Sequence, residues 1–364
     1  MSLFELDRSG LRLPLSLITG FLGSGKTTLL NRVLKRKEMA DSAVIINELG
    51  EIGLDHLLVE RVDGDVAVLS SGCVCCTLRG ELEEALRALF IKRQRAELPE
   101  FKRVLVETTG LADPAPIVAT VLNNPMVSHY FRLDAVVTTV DAVNGARQLD
   151  QNAESVKQAA IADRLLITKT DLASADAIES LEARLARLNP AAQRLRAIQG
   201  EIDPDLLFGC GWWEIRNKTG DVRAWLAEET GKDDRHHHDR APHHHGHDHG
   251  HDHEVLNHDA RIRHFSLSFD QPLDWNVVAT WLEALVGGAG DNLLRMKGLL
   301  NLKGEDQPVV LHGVHHIFHP PVRLGSWPSA DRRSRLVFIT RDITRAMIED
   351  SYCAFAKMAA TDPA

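Results

Sequence analysis

Eight residues near the N-terminus, Gly20 to Thr27, have types and a spacing that suit the binding of phosphate groups. They match the pattern G-x-x-x-x-G-K-[ST] between an apolar run and a helical pattern, which is the context that this motif requires. Glycines let backbone amides close around phosphate oxygens, and the helix N-terminus adds partial positive charge. Lys26 is then expected to reach the β- and γ-phosphates, and the Thr27 hydroxyl to bind Mg²⁺. The predicted phosphate-binding residues are Gly20, Gly23, Ser24, Gly25, Lys26, Thr27 and Thr28.

A carboxylate is expected opposite this loop, because such sites hold Mg²⁺ or water with an acidic residue at the end of a second strand. Glu107 ends the apolar run RVLVE and is followed by two threonines and Gly110. We therefore assign Glu107 to Mg²⁺ or the attacking water, and the Gly110 amide to the γ-phosphate. Lys26, Thr27 and Glu107 form the predicted catalytic set, and a Glu107 side chain that only faces solvent is the alternative.

The segment Thr168-Lys169-Thr170-Asp171 indicates which base the nucleotide carries. The Asp171 carboxylate can accept hydrogen bonds from N1–H and the exocyclic amine of guanine, whereas adenine has an acceptor at N1. The aliphatic stem of Lys169 is expected to lie over the base. By itself the tetrapeptide is also compatible with a solvated turn. In a chain with a phosphate loop it favours GTP over ATP, and it disfavours an ATP-dependent kinase.

Three cysteines lie within four residues, at Cys73, Cys75 and Cys76, after the apolar run VAVLSSG. Thiolates are soft ligands that suit Zn²⁺ or Cu(I), and three of them leave a fourth tetrahedral position open for exchange. Structural zinc sites usually take ligands from two separated pairs, so this spacing favours metal transfer. Glu48 and Glu51, which follow another strand-like run, are candidate additional ligands. For the cysteines, the alternatives are buried structural residues or a redox pair. For Glu48 and Glu51, the alternative is an ordinary polar loop.

A histidine-rich tract lies between residues 231 and 258, with eleven histidines, several aspartates and almost no apolar residues. Neutral imidazole accepts Zn²⁺, Ni²⁺, Co²⁺ or Cu²⁺, whereas this composition cannot supply a hydrophobic core. We interpret the tract as a flexible linker and a low-specificity metal reservoir. A solvated linker that binds metal only adventitiously is the alternative. The reservoir residues are His243, His245, His247, His249, His251 and His253.

These motifs need elements that bring them to one place, and the order of apolar runs predicts such elements. Strand-like runs lie at 13–19, 42–48, 66–72, 103–110, 133–142 and 163–171, with helical patterns such as 80–94 between them. The runs are apolar throughout, which is typical of strands covered on both faces. The predicted fold is α/β, a P-loop NTPase with a doubly wound, mainly parallel sheet. The phosphate loop and the cysteines would then share the carboxyl edge of that sheet.

The change of composition near residue 230 divides the chain. We predict a P-loop GTPase domain with the cysteine motif at 1–230, the linker at 231–258 and an α+β domain at 259–364. The last part reads strand, helix, three strands and helix, which fits a smaller ferredoxin-like domain. Within it, packing or surface polarity is the expected role of His312, His315, His316 and His319.

Composition and charge exclude two classes of partner. The formal net charge is −9, whereas a general nucleic-acid binder carries a basic surface, so we expect no nucleic-acid partner. No apolar run is long enough to cross a bilayer, so we expect no membrane partner. The N-terminal residues lack the order of a signal peptide, and the clustered cysteines suit a reducing compartment. The predicted location is therefore cytoplasmic.

The ordered motifs GFLGSGKTT, NELGEIGLD, CVCC, ETTGLADPAP and TKTD resemble the CobW family of P-loop GTPases. The likeness continues to RMKG and GVHHIF, which are similar to the family's C-terminal domain, so it covers nearly the whole chain. It implies GTP hydrolysis, metal carried at the Cys-x-Cys-Cys motif and delivery of that metal to a client protein. One position differs from the family's pattern. The guanine motif commonly begins with Asn, whereas this chain has Thr168, so we expect the loop that carries this motif to be less well supported.

The leading hypothesis is a GTP-hydrolysing metallochaperone that uses Mg²⁺, binds Zn²⁺ at the cysteines and transfers it to a client metalloprotein. A Co²⁺ chaperone for cobalamin synthesis or nitrile hydratase activation is the runner-up. A metal-storage protein with vestigial GTPase activity is the alternative from another class. The sequence does not identify the client, and it leaves the oligomeric state open, a homodimer included.

Overall fold

The computed structural model describes the chain in several ranges, and the predicted cysteine site and histidine tract lie outside them. The described residues are 12–47, 58–62, 66–71, 78–209, 261–315, 317–319 and 321–361. The predicted metal ligands outside these ranges are Cys73, Cys75, Cys76, Glu48, Glu51 and the whole histidine tract. The predicted domain limits at 230 and 258 also lie outside them, so these limits stay predictions.

An eight-stranded sheet forms the first part of the structure, in the order β3-β4-β2-β5-β1-β6-β7-β8. The strands are β1 Leu13–Gly20, β2 Ser42–Asn47, β3 Leu58–Val62, β4 Val66–Ser71, β5 Arg103–Glu107, β6 Phe131–Asp141, β7 Arg164–Thr168 and β8 Gln193–Arg196. All neighbours run parallel except β3, which pairs antiparallel with β4 at one edge. The predicted α/β fold with a mainly parallel sheet is confirmed.

Helices follow most of these strands and cover both faces of the sheet. They are α1 Lys26–Leu34, α2 Leu78–Gln94, α3 Ala115–Asn123, α4 Pro125–Tyr130, α5 Gly145–Gln151, α6 Ala153–Ile161, α7 Ala175–Leu188 and α8 Pro204–Leu207. Successive residues of β5 enter different cores, because side chains alternate along a strand. Val106 packs in the cluster that holds Leu86 of α2, and Leu105 packs in the cluster that holds Leu30 of α1.

The C-terminal part is a separate α+β domain with an antiparallel sheet, as predicted. Its elements are β9 Ile262–Phe269, α9 Trp275–Ala289, β10 Leu293–Leu300, β11 Val309–Val314, β12 Ile317–Phe318, β13 Val322–Arg323, β14 Ser334–Arg341 and α10 Arg345–Thr361. β14 lies between β9 and β10 and is antiparallel to both, so β9-α9-β10 forms the split β-α-β unit of ferredoxin-like domains. β11 to β13 extend the sheet beyond β10. Trp281 of α9 is fully buried in the core of this domain.

The two domains meet along helix α6. Ala160 of α6 shares a buried apolar cluster with Leu294 of β10 and Ile339 of β14. Val314, at the end of β11, packs into the core of the first domain beside Val118 of α3. The contact between the domains therefore has apolar parts that are continuous with their cores, beside polar contacts such as the ion pair of Arg295 with Asp163. Among the helices of the described residues, none is both long and apolar enough to cross a membrane.

Candidate nucleotide-binding site

The predicted phosphate loop connects the end of β1 to the start of α1, at the carboxyl edge of the parallel sheet. Gly20, Gly23 and Gly25 have φ angles of 141°, 72° and 93°, which lie in the region that favours glycine. A Cβ on Gly20 would lie 2.4 Å from the backbone oxygen of Thr139, so no larger residue fits there. Gly25 is the N-cap of α1, which directs the amides of its first turn into the loop. This arrangement is suited to phosphate.

Lys26 lies inside this loop. Its Nζ donates hydrogen bonds to the backbone oxygens of Gly20 at 2.9 Å and Phe21 at 3.2 Å. Burial lowers the pKa of Lys26, and the charge of Glu107 opposes part of that shift. The ammonium group is thus held at the centre of the loop by neutral acceptors that phosphate oxygens can replace.

Thr27 and Glu107 meet directly, as a shared Mg²⁺ site would require. The Thr27 hydroxyl donates a 2.6 Å hydrogen bond to Oε1 of Glu107, although the residues are 80 positions apart. Glu107 is buried at the end of β5, where its backbone is paired with that of Ile18 of β1. The strand register therefore fixes the position of Glu107 relative to the phosphate loop. A hydroxyl and a carboxylate are hard oxygen donors, and these two fit Mg²⁺. Thr28 follows in the first turn of α1 and is exposed.

The loop after Glu107 lies against the phosphate loop. The Thr108 hydroxyl donates to the hydroxyl of Thr19 at 2.9 Å. A Cβ on Gly110 would lie 2.7 Å from the backbone nitrogen of Leu22, so glycine permits this close approach. Gly110 therefore lies beside the phosphate loop, where its predicted role at the γ-phosphate requires it.

The segment predicted to bind guanine is bonded to the phosphate loop through two side chains. The Thr168 hydroxyl donates to the backbone oxygen of Ser24 at 2.7 Å. Lys169 Nζ donates to the backbone oxygen of Gly23 at 2.7 Å and to Asp141 at 2.8 Å. The Thr168 hydroxyl thus reaches the phosphate loop directly, and the expectation that it supports the loop less well than Asn stays a prediction. Asp171 is exposed in the short 3-10 turn Thr170–Leu172.

Asp141 is a buried acidic residue of this site that the sequence reasoning missed. Besides Lys169, its carboxylate accepts hydrogen bonds from the amides of Val143 at 2.8 Å and Asn144 at 3.2 Å and from the Asn144 side chain at 3.1 Å. Burial alone would raise the pKa of Asp141, but these hydrogen bonds hold it below its ordinary value. The signal was its position at the end of the predicted strand 133–142.

A further loop beside the site, formed by residues 197–200, was also missed because β8 was not predicted. The β8 sequence QRLR has one apolar residue, so only its pairing with β7 identifies it as a strand. The Ala197 amide donates to the backbone oxygen of Ile167 at 2.9 Å. Gly200 has a φ of 76°, and a Cβ there would lie 3.0 Å from the backbone oxygen of Thr28. The loop therefore borders the site beside α1.

The strand that precedes the cysteine motif ends at the same edge of the sheet. β4 is parallel to β2, with Ser71 opposite Asn47, and β2 is parallel to β5, with Ile46 opposite Glu107. The chain therefore leaves β4 within one residue of the level of Glu107. Among the described residues, no three His, Cys, Asp or Glu side chains lie close enough together to hold a metal ion.

The phosphate loop, the predicted magnesium ligands and the predicted base loop thus converge on one end of a parallel sheet, which is the arrangement of a P-loop nucleotide hydrolase of the GTPase type. Comparison with known families makes this more specific. Residues 14–196 match the family described as CobW/HypB/UreG, nucleotide-binding domain, and residues 262–355 match the cobalamin synthesis protein cobW C-terminal domain. The chain belongs to the CobW family of P-loop GTPases.

Individual relatives match over nearly the full chain. The zinc chaperone YjiA of Escherichia coli (strain K12) is 30% identical over 95% of this chain and 99% of its own length. The zinc chaperone CobW of Pseudomonas aeruginosa is 30% identical over 93% of this chain and 90% of its own length. The crystal structure of Zn(II)-bound YjiA GTPase from E. coli superimposes with a TM-score of 0.69, at 28% identity over 94% of this chain and 99% of that one. Both domains and their order are therefore common to these proteins.

Proposed function

We propose that this protein is a GTP-hydrolysing chaperone that binds zinc at Cys73, Cys75 and Cys76 and transfers it to a client metalloprotein in the cytoplasm. Two relatives that match nearly the full chain are named zinc chaperones, and a similar solved structure is that of a zinc-bound GTPase. A relative from Schizosaccharomyces pombe, 32% identical over 52% of this chain, is named a zinc-regulated GTPase metalloprotein activator. These names support both the metal and the transfer.

The position of β4 is the observation that carries the proposal. β4 and β5 are separated by β2 alone, so their ends lie about 10 Å apart at the usual spacing of neighbouring strands. Cys73 is two residues beyond Ser71, where β4 ends. From this strand end we propose that the nucleotide state alters the metal affinity of a thiolate site in the following segment, and that metal alters nucleotide affinity in return.

In the proposed GTPase cycle each residue of the described site has a separate task. The glycine loop, Ser24 and Lys26 bind the phosphates, and Gly110 contacts the γ-phosphate. Asp171 selects guanine. Mg²⁺, held by Thr27 and Glu107, supplies charge neutralisation at the phosphates when it is bound. The loop after Glu107 is the segment that responds to the γ-phosphate.

The proposed metal pathway uses the parts of the chain outside the described residues. Glu48 or Glu51 completes the thiolate site, because three thiolates leave one tetrahedral position open. The linker at 231–258 raises the local metal supply through His243, His245, His247, His249, His251 and His253. It separates a GTPase domain at 1–230 from a C-terminal domain at 259–364.

A zinc titration tests this function. Untagged protein in complex with GDP or with a non-hydrolysable GTP analogue competes for Zn²⁺ with a chromophoric chelator. We expect one tight site per chain, whose affinity differs between the nucleotides by about tenfold in the wild type. Cys75→Ser should abolish the tight site. Cys353→Ser, which alters an exposed cysteine of the C-terminal domain, should leave it intact. Equal zinc affinity in both nucleotide states would contradict the coupled chaperone.

The same titration distinguishes the proposed zinc chaperone from two alternative functions. A cobalt chaperone predicts that Co²⁺ displaces Zn²⁺ from the tight site at comparable concentrations, whereas three thiolates should favour zinc. A storage protein predicts many ions per chain and loss of function when residues 231–258 are deleted. The chaperone predicts that the deletion removes only the weak sites and leaves the nucleotide-dependent site unchanged.

A further inference from the structure

Gln158 of α6 holds the loop that follows Glu107. The side chain is fully buried, and its Nε2 donates to the backbone oxygens of Gly110 at 3.2 Å and Ala112 at 2.9 Å. Both amide hydrogens are therefore used on one loop, on either side of Leu111. Oε1 of Gln158 accepts no hydrogen bond from the described part of the chain. The Gln158 side chain thus donates two hydrogen bonds to the loop that follows Glu107.

The neighbouring residue of α6 binds the same loop further along. Lys157 Nζ donates to Asp113 at 2.7 Å, and Asp113 also accepts from the amide of Ala115 at 3.0 Å. Burial alone would raise the pKa of Asp113, but these bonds and the nearby His315 lower it. His315 belongs to the C-terminal domain, in the turn between β11 and β12. The loop is therefore attached to α6 at three points and borders the other domain.

The C-terminal end of α6 is capped by an arginine from the other domain. Arg295 of β10 is almost fully buried and donates to the backbone oxygens of Ile161 and Ala162, the latter at 2.7 Å. It also forms an ion pair with Asp163. A cation at this end of a helix satisfies its last carbonyl groups and complements its dipole. The docked C-terminal domain therefore adds to the contacts that hold this end of α6, where Asn189 of the first domain also donates to the backbone oxygens of Ala160 at 2.9 Å and Ala162 at 3.0 Å.

We propose that Gln158 is a positioning residue for GTP hydrolysis, and that Arg295 makes this positioning depend on docking of the C-terminal domain. Gln158 fixes the backbone of Gly110 beside the phosphate loop, and Arg295 fixes the helix that carries Gln158. A ligand or client that shifts the C-terminal domain changes the hydrolysis rate by this route, and nucleotide state changes docking in return. The inference rests on the GTPase activity of the family and is independent of the metal cargo.

Substitution of Gln158 in the full chain tests the positioning role. Gln158→Leu keeps the approximate size but leaves two carbonyls without their donor. We expect kcat for GTP to fall about tenfold to hundredfold, because misplaced catalytic groups are costly, while KM and GDP affinity change less than about threefold. A purely structural role would instead lower nucleotide affinity and thermal stability together with kcat, and that result would overturn the assignment, as would an unchanged kcat.

Gln158→Glu provides a pH-dependent rescue. A carboxylate cannot donate to Gly110 and Ala112, whereas a protonated carboxyl group donates one hydrogen bond. Burial beside carbonyl oxygens raises the pKa of such a glutamate into the accessible range. We expect kcat relative to wild type to rise as the pH falls from about 8 to about 6. If kcat of Gln158→Glu relative to wild type does not change with pH and equals that of Gln158→Leu, the proposed role of the Gln158 side chain as a hydrogen-bond donor is contradicted.

Arg295→Met tests the connection between the domains, with Arg335→Met as the matched control. Arg335 is a partly buried arginine of β14 whose ion pair with Asp331 lies within the C-terminal domain. We expect Arg295→Met to lower kcat at least about fivefold with GDP affinity retained, and Arg335→Met to leave kcat unchanged. Combined with Gln158→Leu, Arg295→Met should add little, because both act through one helix. Fully additive losses would overturn the connection.

Arg295→Lys keeps the experiment decisive if Arg295→Met does not fold, as melting curves would show. Lysine retains a charge opposite Asp163 but lacks the planar fork that reaches two carbonyls as well. We expect a smaller loss of kcat in the same direction. Wild-type kcat in a folded Arg295→Lys protein would show that the cap of α6 does not control hydrolysis.

Discussion

The hydroxyl of Thr168 donates a 2.7 Å hydrogen bond to the backbone oxygen of Ser24, and so joins the base loop to the phosphate loop. The two residues are 144 positions apart, and both are buried. Thr168 also contacts the backbone oxygen of Val140 at 3.3 Å. The first position of the predicted guanine motif is therefore occupied by a side chain that bonds to the phosphate loop itself. Nucleotide binding should depend on that bond.

Thr168→Val removes this bond with almost no change of shape. We expect the affinity for a fluorescent GDP analogue to fall about two- to tenfold, which is the usual net effect of losing one buried hydrogen bond. Thr170→Val, two residues further along the base loop, is the control and should have little effect. An unchanged affinity in Thr168→Val would show that the loop is held by Lys169 and Asp141 alone.

Glu107→Gln tests the magnesium ligand. The substitution preserves the size of the side chain and its contact with Thr27 but removes the negative charge. We expect kcat for GTP to fall roughly hundredfold, because the substitution removes electrostatic stabilisation of the transition state. The Mg²⁺ concentration for half-maximal rate should rise.

The matched control for Glu107 is Glu182→Gln, which alters a partly buried glutamate paired with Arg196 in the same domain. Its kcat and Mg²⁺ dependence should equal those of the wild type. If Glu107→Gln keeps the wild-type Mg²⁺ dependence and loses only kcat, then Glu107 acts on water rather than on the metal.

The stacked rings of His312 and His319 lead us to predict that the C-terminal domain is less stable in acid. Their centroids are 4.6 Å apart with the planes parallel. Burial lowers the pKa of His312 well below its ordinary value and that of His319 to about 4. The unfolded chain then binds more protons than the folded one as the pH falls below the ordinary histidine value. The free energy of unfolding should therefore decrease from about pH 6.5 toward pH 4.

Melting temperatures measured across this range test the prediction. The wild type should lose several degrees as the pH falls, and His319→Gln should show a shallower dependence because one titrating group is gone. His129→Gln, which alters an exposed histidine on α4, should match the wild type. A wild-type slope in His319→Gln would mean that other groups, such as the carboxylates, dominate acid unfolding.

The histidines of the C-terminal domain illustrate a partly successful prediction. Packing or surface polarity was the expected role of His312 and His315, and packing is what the structure shows, since both are buried. The partner of His312 was not predictable, because the ring of His319 reaches His312 only when the chain turns back between β11 and β12. The same holds for β8, whose short polar sequence forms a strand only because β7 offers an edge to pair with.

Elements with internal periodicity and motifs confined to a few residues were determined by the sequence itself. The phosphate loop is one case, because Gly20, Gly25 and Lys26 shape it through local backbone angles and contacts within eight residues. The parallel sheet is another, because each apolar run can be buried only when both its faces are covered. The contacts that join the loops were decided by the tertiary structure. Thr168 meets Ser24, and Gln158 meets Gly110, because strand order brings distant strand ends to one edge, and no local pattern encodes that order.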